Sequence, residues 1–316
     1  MDKHSYDDHN DYSGKPRPSG CGTVFFIIVL LYLAYYFISN GGIIKKQQPA
    51  YNTADNSAAQ HYKSYYDGSL GSCGDLKGKV LIVSVFISDK NTSWDAADKA
   101  DQEMINKTLR DIKSAAAYLK EQAAIYGSSV DFIYDWSAYP ELKYSAQFKS
   151  VDMVTAEGTY YNTQSTWIKR NIDIQGLKDK FSADHVLFIN FFDTALSNPV
   201  HCWSLGASSF PEGSKDTYYI ELINLFCRFE NYVTMPSVYA HEMLHAFGAH
   251  DLYYASSQIP QSYVDNLNQT GSQDIMFTVT SSDEITNYVS PLDAYYIGIA
   301  PAPEEVSYWK LSASEH

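Results

Sequence analysis

Apolar residues fall into several runs along this 316-residue chain, and some of these runs have the length and composition of β-strands. Residues 79–88 and 185–192 are almost unbroken apolar runs rich in β-branched or aromatic side chains, which predicts strands buried on both faces. Residues 130–134 alternate apolar and polar side chains, and residues 217–226 are largely apolar, so both are also predicted strands. Residues 201–206 are predicted to add an edge strand.

Two longer segments carry the period of a helix instead. Apolar residues recur every three or four positions in residues 94–126, where Asn91 or Ser93 is the expected N-cap, and again in residues 164–181. A short helix is expected after Ser290, because its side chain is suited to capping and Pro follows it.

Residues 140–163 and 252–272 show no regular pattern, and both segments are predicted to be irregular. The second segment is polar and is expected to form a loop. The order of strands and helices indicates an α+β fold, built on a twisted mixed sheet with long helices.

The N-terminal part of the chain predicts a membrane anchor. Residues 1–22 are polar and contain Gly and Pro, which favours a disordered tail. Residues 23–44 carry no charged side chain and predict a transmembrane signal anchor, with a cleaved signal peptide as the alternative. Residues 45–74 lack hydrophobic periodicity and are predicted to be a stalk, so that residues 75–316 form the folded domain.

Charge and cysteine content narrow the possible functions. The formal net charge of -14 argues against nucleic-acid binding, which requires a basic surface. The four cysteines, Cys21, Cys73, Cys202 and Cys227, include no C-x-x-C pair, so a cysteine zinc site is not expected. Cys202 and Cys227 either form a disulfide outside the cytoplasm or remain two buried thiols.

The chemistry is concentrated in residues 241–251, which read H-E-x-x-H-x-x-G-x-x-D. Two histidines four residues apart on a helix lie on one face, so His241 and His245 can reach the same metal ion. Glu242 lies beside the first histidine, where it can take a proton from a water molecule. Pro236 is suited to the first turn of this helix.

The third metal ligand depends on how the chain turns after this helix. Gly248 can adopt the left-handed conformation that ends a helix, which would bring Asp251 back to the metal. His250 is the alternative third ligand, because it lies one residue earlier. Glu284 is a further candidate, if a glutamate from a later segment binds the metal.

The motif resembles the signature of the metzincin clan of zinc peptidases, H-E-x-x-H-x-x-G-x-x-H, which is followed by a methionine turn. Asp251 replaces the last histidine, as in immune inhibitor A-like and snapalysin-like secreted peptidases, and Met276 lies at a suitable distance for the turn. The resemblance covers about residues 239–277. The family's tyrosine two positions after the methionine is absent, since Thr278 stands there. Three later tyrosines are candidates to replace it: Tyr288, Tyr295 and Tyr296.

The resemblance implies a zincin-like catalytic domain in which His241, His245 and Asp251 bind Zn²⁺ and Glu242 is the general base. Met276 is then expected to form a hydrophobic floor beneath the metal. The implied activity is that of a zinc-dependent metalloendopeptidase, with a peptide or protein as its substrate.

We expect this enzyme to be a single-pass membrane protein with an extracellular catalytic domain. The basic residues on the two sides of residues 23–44 nearly balance, so the orientation rests on the resemblance to secreted peptidases. Three alternatives remain open. The chain is a catalytically inactive zincin-fold surface binding or adhesion protein, a hydrolase of other acyl bonds, or a latent enzyme whose zinc is blocked by Cys73.

Overall fold

The computed structural model describes most of the chain after residue 72, in residues 73–89, 93–149, 159–193, 221–226, 228–229 and 232–313. These ranges all belong to one compact unit, Asp55–His316. Within them no helix is both long enough and apolar enough to cross a membrane. The predicted tail, the predicted span at residues 23–44 and most of the predicted stalk lie outside the described ranges, as do Cys21, Cys202 and Cys227.

The main sheet is organised around one long central strand. Its strands are β1 (Gly78–Ser88), β2 (Val130–Ile133), β3 (Lys143–Gln147), β4 (His185–Phe192) and β5 (Glu221–Phe226). The edge of β1 that pairs with β2 near its start pairs with β3 near its end, while the other edge of β1 pairs with β4. β5 continues the sheet beyond β4. All these pairings are parallel, and β1 and β4 are almost fully buried, as strands covered on both faces must be.

A two-stranded antiparallel ribbon, β6 (Arg228–Phe229) and β7 (Tyr232–Val233), leads into the motif helix. A 3₁₀ turn covers Pro140–Leu142. The helices are α1 (Lys99–Ile125), α2 (Thr159–Asn171), α3 (Ile174–Phe181), α4 (Pro236–His245), α5 (Gln261–Thr270), α6 (Pro291–Tyr296) and α7 (Glu304–Trp309). The described elements therefore form a mixed helix and strand fold around a parallel sheet.

Two sets of contacts hold the motif helix α4 in the fold. Tyr239 is fully buried and lies beside Phe191 of β4, with 6.1 Å between the ring centroids. α1 packs against α4, and Lys107 of α1 donates a hydrogen bond to the carbonyl of Thr234 at 3.1 Å. Lys107 also forms a partly buried salt bridge with Asp111 at 2.7 Å. The start of α4 is thus fixed by both the sheet and α1.

Several predicted elements are confirmed. β4 has the predicted bounds, β1 begins one residue before the predicted residues 79–88, and β2 ends one residue before the end of residues 130–134. The short helix capped by Ser290 is confirmed as α6. Of the strand predicted at residues 217–226, the described part forms β5. The edge strand predicted at residues 201–206 lies outside the described ranges.

The predicted helix boundaries are partly wrong. The helix predicted for residues 94–126 begins at Lys99, because the Asp98 side chain accepts the N–H groups of Ala100 and Asp101 and so ends the helix there. The helix predicted for residues 164–181 is two helices. Its break falls where the Asp173 side chain accepts the Gly176 N–H and caps α3.

Three other expectations are corrected. Residues 140–163 contain β3, whose backbone pairs with the end of β1. Residues 252–272 contain α5, which ends at Gly271 with a left-handed φ of 64°. The sequence predicts a mixed sheet, whereas every described pairing in the main sheet is parallel.

The end of the predicted stalk packs against the motif helix. Cys73 is buried in the hydrophobic core, and its N–H donates to the carbonyl of Ala246 at 3.0 Å. Leu76 is fully buried, and its N–H donates to the carbonyl of Ile297 at 2.9 Å. The folded structure therefore includes residues from Cys73 onward.

Substitution of the N-cap residue tests the corrected start of α1 at Lys99. Replacing Asp98 with Ala should lower the free energy of unfolding by about 1 kcal/mol, because two helix N–H groups lose their acceptor. Ser93→Ala, at the exposed position that the sequence suggests as a cap, should leave it nearly unchanged. Denaturant unfolding followed by circular dichroism measures both changes. An equal or larger loss in Ser93→Ala would contradict the assignment.

Candidate metal centre

α4 carries both motif histidines, and the chain turns sharply just after it. Pro236 occupies the first turn, as predicted, and His245 is the last helical residue. Gly248 has a φ of 100°, a backbone conformation that side-chain-bearing residues rarely adopt. The Ala249 N–H donates to the carbonyl of Leu244 at 3.2 Å across this turn. The turn sends the following residues back toward the helix.

The turn brings Asp251 to the two histidines. Its Oδ1 lies 3.1 Å from His241 Nε2 and 3.2 Å from His245 Nε2. The donor atoms of all three residues lie within 4.8 Å of one another. The side chains of His241, His245 and Asp251 are 8%, 4% and 18% exposed, so the cluster is largely removed from water.

The Nδ1 atom of each imidazole ring has a backbone carbonyl as its hydrogen-bond partner. Nδ1 of His241 lies 2.8 Å from the carbonyl oxygen of Ile275, and Nδ1 of His245 lies 2.8 Å from that of Ala249. A carbonyl only accepts hydrogen bonds, so each Nδ1 carries a proton and each neutral ring has its lone pair on Nε2. Both lone pairs then face the Asp251 carboxylate, and a cation between them removes the repulsion.

These three residues could hold a metal ion, and their donor atoms are of the types that zinc accepts. Nitrogen and oxygen ligands at the usual zinc distances in a tetrahedron lie about 3.3 Å apart, close to the two distances from Asp251 Oδ1. Two imidazoles favour a transition ion over Ca²⁺ or Mg²⁺, which prefer oxygen ligands. A carbonyl that holds the second nitrogen of each imidazole is the usual support for a metal-binding histidine.

The electrostatics of the cluster agree with this arrangement. Burial alone would lower the pKa of His245, but the negative charge of Asp251 outweighs burial and raises it to about 9. The pKa of His241 is also raised, against burial, by its hydrogen bond with Asp251. Burial would raise the pKa of Asp251, but the two histidines hold it far below its usual value. Because metal ligands must be deprotonated, metal binding at these histidines would be coupled to proton release.

Glu242 lies beside this cluster. Its Oε1 is 3.9 Å from His241 Nε2, and its side chain is 9% exposed. The carboxylate is therefore close enough to reach a water molecule bound next to the imidazoles. This is the position that a general base requires.

The predicted methionine turn contacts the His241 ring through a backbone carbonyl. The Ile275 carbonyl accepts the His241 ring N–H, and the Met276 carbonyl accepts the Leu252 N–H at 2.9 Å. Met276 is fully buried. The sequence stretch around Met276 and the motif helix are thus brought together, as the sequence predicts.

Other candidate residues are not brought into the cluster. The His250 ring packs edge-on against Tyr296 at 4.7 Å between centroids, and burial lowers its pKa to about 4. Glu284 is exposed on the surface. The Tyr288 hydroxyl bonds with the Ser272 hydroxyl, and the Tyr296 hydroxyl donates to the carbonyl of Ser312. In the part of the chain that the structure describes, the metal-ligand cluster of this loop contains Asp251 and not His250.

The sequence analysis missed two tyrosines at the site. The Tyr253 ring is tilted toward the His241 ring at 6.2 Å between centroids, and Tyr254 packs against Tyr253 at 5.2 Å. Both phenol groups lie close enough to Asp251 to interact electrostatically with its carboxylate. Burial and the Asp251 charge raise the pKa of both phenols, so they stay protonated. The two adjacent aromatics directly after Asp251 were the available signal.

Comparison with known proteins adds no assignment. No family model matches the chain, and no curated protein matches its sequence significantly. The geometry of the cluster is therefore the main basis for a functional conclusion.

Asp251 and its neighbour His250 offer a matched test of the third ligand. Asp251→Ala should weaken zinc binding by more than the roughly 10–100-fold that loss of a supporting residue costs, because a ligand atom is removed. His250→Ala should bind zinc like the parent. Competition with a fluorescent chelator measures both affinities, with circular dichroism as the check on folding. Stronger loss in His250→Ala would show that the third ligand is misassigned.

Proposed function

We propose that this chain is a zinc-dependent metalloendopeptidase with a metzincin-like catalytic domain. The observation that carries the proposal is the convergence of His241, His245 and Asp251 on one point, with Glu242 beside it. Within the described ranges this cluster offers three protein donors. Structural zinc sites usually close with four protein ligands, whereas catalytic sites use three and keep one position open.

A bound zinc ion would polarise the substrate carbonyl and make a water molecule more acidic. Glu242 takes the proton from the attacking water and then delivers it to the nitrogen of the leaving amine. The carbonyls of Ile275 and Ala249 hold His241 and His245 in the required orientation. Asp251 adds a negative charge, so the centre has a lower net charge than one built from three imidazoles.

A substrate could reach the metal centre from the side of Asp251, where the site is most exposed to solvent. Its side chain is the most exposed of the three proposed ligands, at 18%, and the adjacent Tyr253 and Tyr254 are partly exposed. The two phenol groups remain protonated next to this opening and are available as hydrogen-bond donors. We assign them a role in holding Asp251, since both interact with its carboxylate.

The proposal extends to the location of the enzyme. The uncharged segment at residues 23–44 supports a membrane anchor, and the resemblance to secreted peptidases supports an extracellular catalytic domain. A peptide or protein is the proposed substrate. The net charge of -14 supports a function without nucleic acid.

Glu242→Gln tests the proposed activity. The full-length chain, purified in detergent and loaded with zinc, should cleave members of a mixed peptide library. Glu242→Gln should lose roughly 10²–10⁴-fold in cleavage rate, because the amide cannot accept the proton, while still binding zinc. Mass spectrometry of the products measures the rate and the specificity together.

Glu284→Gln is the matched control, because Glu284 is an exposed glutamate remote in sequence from the motif. It should cleave like the parent. Equal cleavage by the parent and Glu242→Gln would remove Glu242 from the mechanism. A folded, zinc-loaded parent that cleaves nothing would favour the alternative of an inactive zincin-fold binding protein.

A further inference from the structure

The methionine turn, residues 274–278 after α5, is hydrogen bonded to one proposed ligand and to the neighbour of another. Its Ile275 carbonyl accepts the His241 ring N–H at 2.8 Å. Its Met276 carbonyl accepts the N–H of Leu252, the residue next to Asp251, at 2.9 Å. Any shift of this turn therefore moves both His241 and Asp251.

Asp274 builds the turn. Its side-chain Oδ1 accepts the Met276 N–H at 2.7 Å, and its carbonyl accepts the N–H groups of Phe277 and Thr278 at 3.1 and 2.9 Å. The Ile275 N–H is held separately, by the carbonyl of Tyr288 at 2.9 Å. Asp274 is fully buried, so its carboxyl group is an internal part of the turn.

A second buried carboxyl group meets Asp274 from α6. Asp293 is also fully buried, and it forms the capping box of α6 with Ser290. The Ser290 N–H donates to Asp293 Oδ2 at 3.3 Å, and the Asp293 N–H donates to Ser290 Oγ at 3.1 Å. The carboxyl groups of Asp274 and Asp293 are hydrogen bonded to each other.

This contact requires a proton. Asp274 Oδ2 and Asp293 Oδ1 are buried without a backbone N–H donor in the described ranges, while the Ser290 side chain acts as a hydrogen-bond partner of both carboxyl groups and favours their ionised forms. Two buried carboxylates in contact cannot both be ionised, so one proton is shared between them. Burial, followed by the negative charge of Asp274, raises the pKa of Asp293 well above its usual value. Burial also raises the pKa of Asp274.

Among the residues that the structure describes, the groups that interact with this pair do not include two cations able to neutralise both carboxylates. Most of the titratable groups that act on the pair are phenols, which carry no positive charge. The titratable groups are Tyr118 of α1, Tyr126 directly after α1, His241 of α4, Tyr263 of α5, Tyr296 of α6 and Glu305 of α7.

We propose that Asp274 and Asp293 are a proton-sharing positioning pair that holds the methionine turn against α6 and thereby sets His241 and Asp251 for the metal. The two residues do not touch substrate, and they act through the Ile275 and Met276 carbonyls. The proposal rests on the proposed function in one respect, because it takes His241 and Asp251 as metal ligands.

The pH dependence of metal-free stability tests the shared proton. A carboxyl group whose pKa is raised in the folded state stabilises the fold at low pH, and this contribution is lost as pH rises toward the raised pKa. Asp293→Asn keeps an N–H donor toward Asp274 but does not titrate. The ratio of the unfolding constants of the parent and Asp293→Asn should therefore rise by up to about tenfold per pH unit above roughly pH 4.

The measurement is denaturant unfolding of the full-length chain in detergent with a chelator, followed by tryptophan fluorescence. The histidine cluster titrates in both proteins and cancels in the ratio. Asp265→Asn, at an exposed carboxylate on α5, should follow the parent at every pH. Parallel profiles for the parent and Asp293→Asn would overturn the shared proton. Asp274→Asn should flatten the profile in the same way and provides an independent variant.

Zinc affinity tests the positioning role. Asp293→Ala removes both the cap and the link to Asp274, and it should weaken zinc binding by roughly 10–100-fold, the usual cost of losing a supporting residue. Asp293→Asn should restore the affinity to near that of the parent. Chelator competition at one pH measures this without any assay of cleavage. A folded Asp293→Ala protein that binds zinc like the parent would refute the positioning role.

The two proposals fail in different ways. If the parent binds zinc through His241, His245 and Asp251 but cleaves no peptide, the proposed peptidase activity fails while the positioning pair is still measured by affinity. If Asp293→Ala does not fold, Asp274→Asn and Asp293→Asn still report on the pair through their pH profiles. Steep, parent-like profiles in both of these variants would overturn it.

Discussion

Two imidazole nitrogens and one carboxylate oxygen meet at the end of α4, each with a lone pair directed at another. His241 Nε2 and His245 Nε2 lie 3.1 and 3.2 Å from Asp251 Oδ1, in surroundings that exclude most water. Such a cluster is stable only with positive charge inside it, either as protons or as a metal ion. When no metal is bound, the Asp251 carboxylate favours the protonated form of both histidines and so raises their pKa values. The surrounding structure serves to keep this unfavourable arrangement together.

The two imidazoles are held directly by backbone carbonyls. The Ala249 carbonyl fixes His245 from the turn after α4, and the Ile275 carbonyl fixes His241 from the methionine turn. α4 is in turn held by the sheet, through Tyr239 against Phe191, and by its packing on α1. The parallel sheet and α1 thus fix the position of α4. The turn after α4 and the methionine turn fix the orientation of its two imidazole rings.

Sequence was most informative where the structure depends on local spacing. The pairing of His241 with His245 follows from helix periodicity, and a return of the chain toward them follows from the turn at Gly248, whereas the choice of Asp251 over His250 depended on the resemblance to the metzincin motif. β3 was not predicted, because residues 143–147 form a strand only through pairing with the distant end of β1. The Asp98 cap was missed because several capping side chains precede α1, and only the three-dimensional structure selects among them. The burial of Asp274 and of Asp293 on α6 was not predicted, because Asp side chains are usually exposed and no sequence pattern marks these two as internal.

The hydrogen bond between Cys73 and the end of α4 has a mechanical consequence. The Cys73 N–H is bonded to the carbonyl of Ala246, the residue that directly follows His245. A displacement of Cys73 would therefore be passed through one hydrogen bond to the residue that ends the helix carrying both imidazoles. The geometry of the metal centre is thus coupled mechanically to a residue more than 160 positions earlier in the chain.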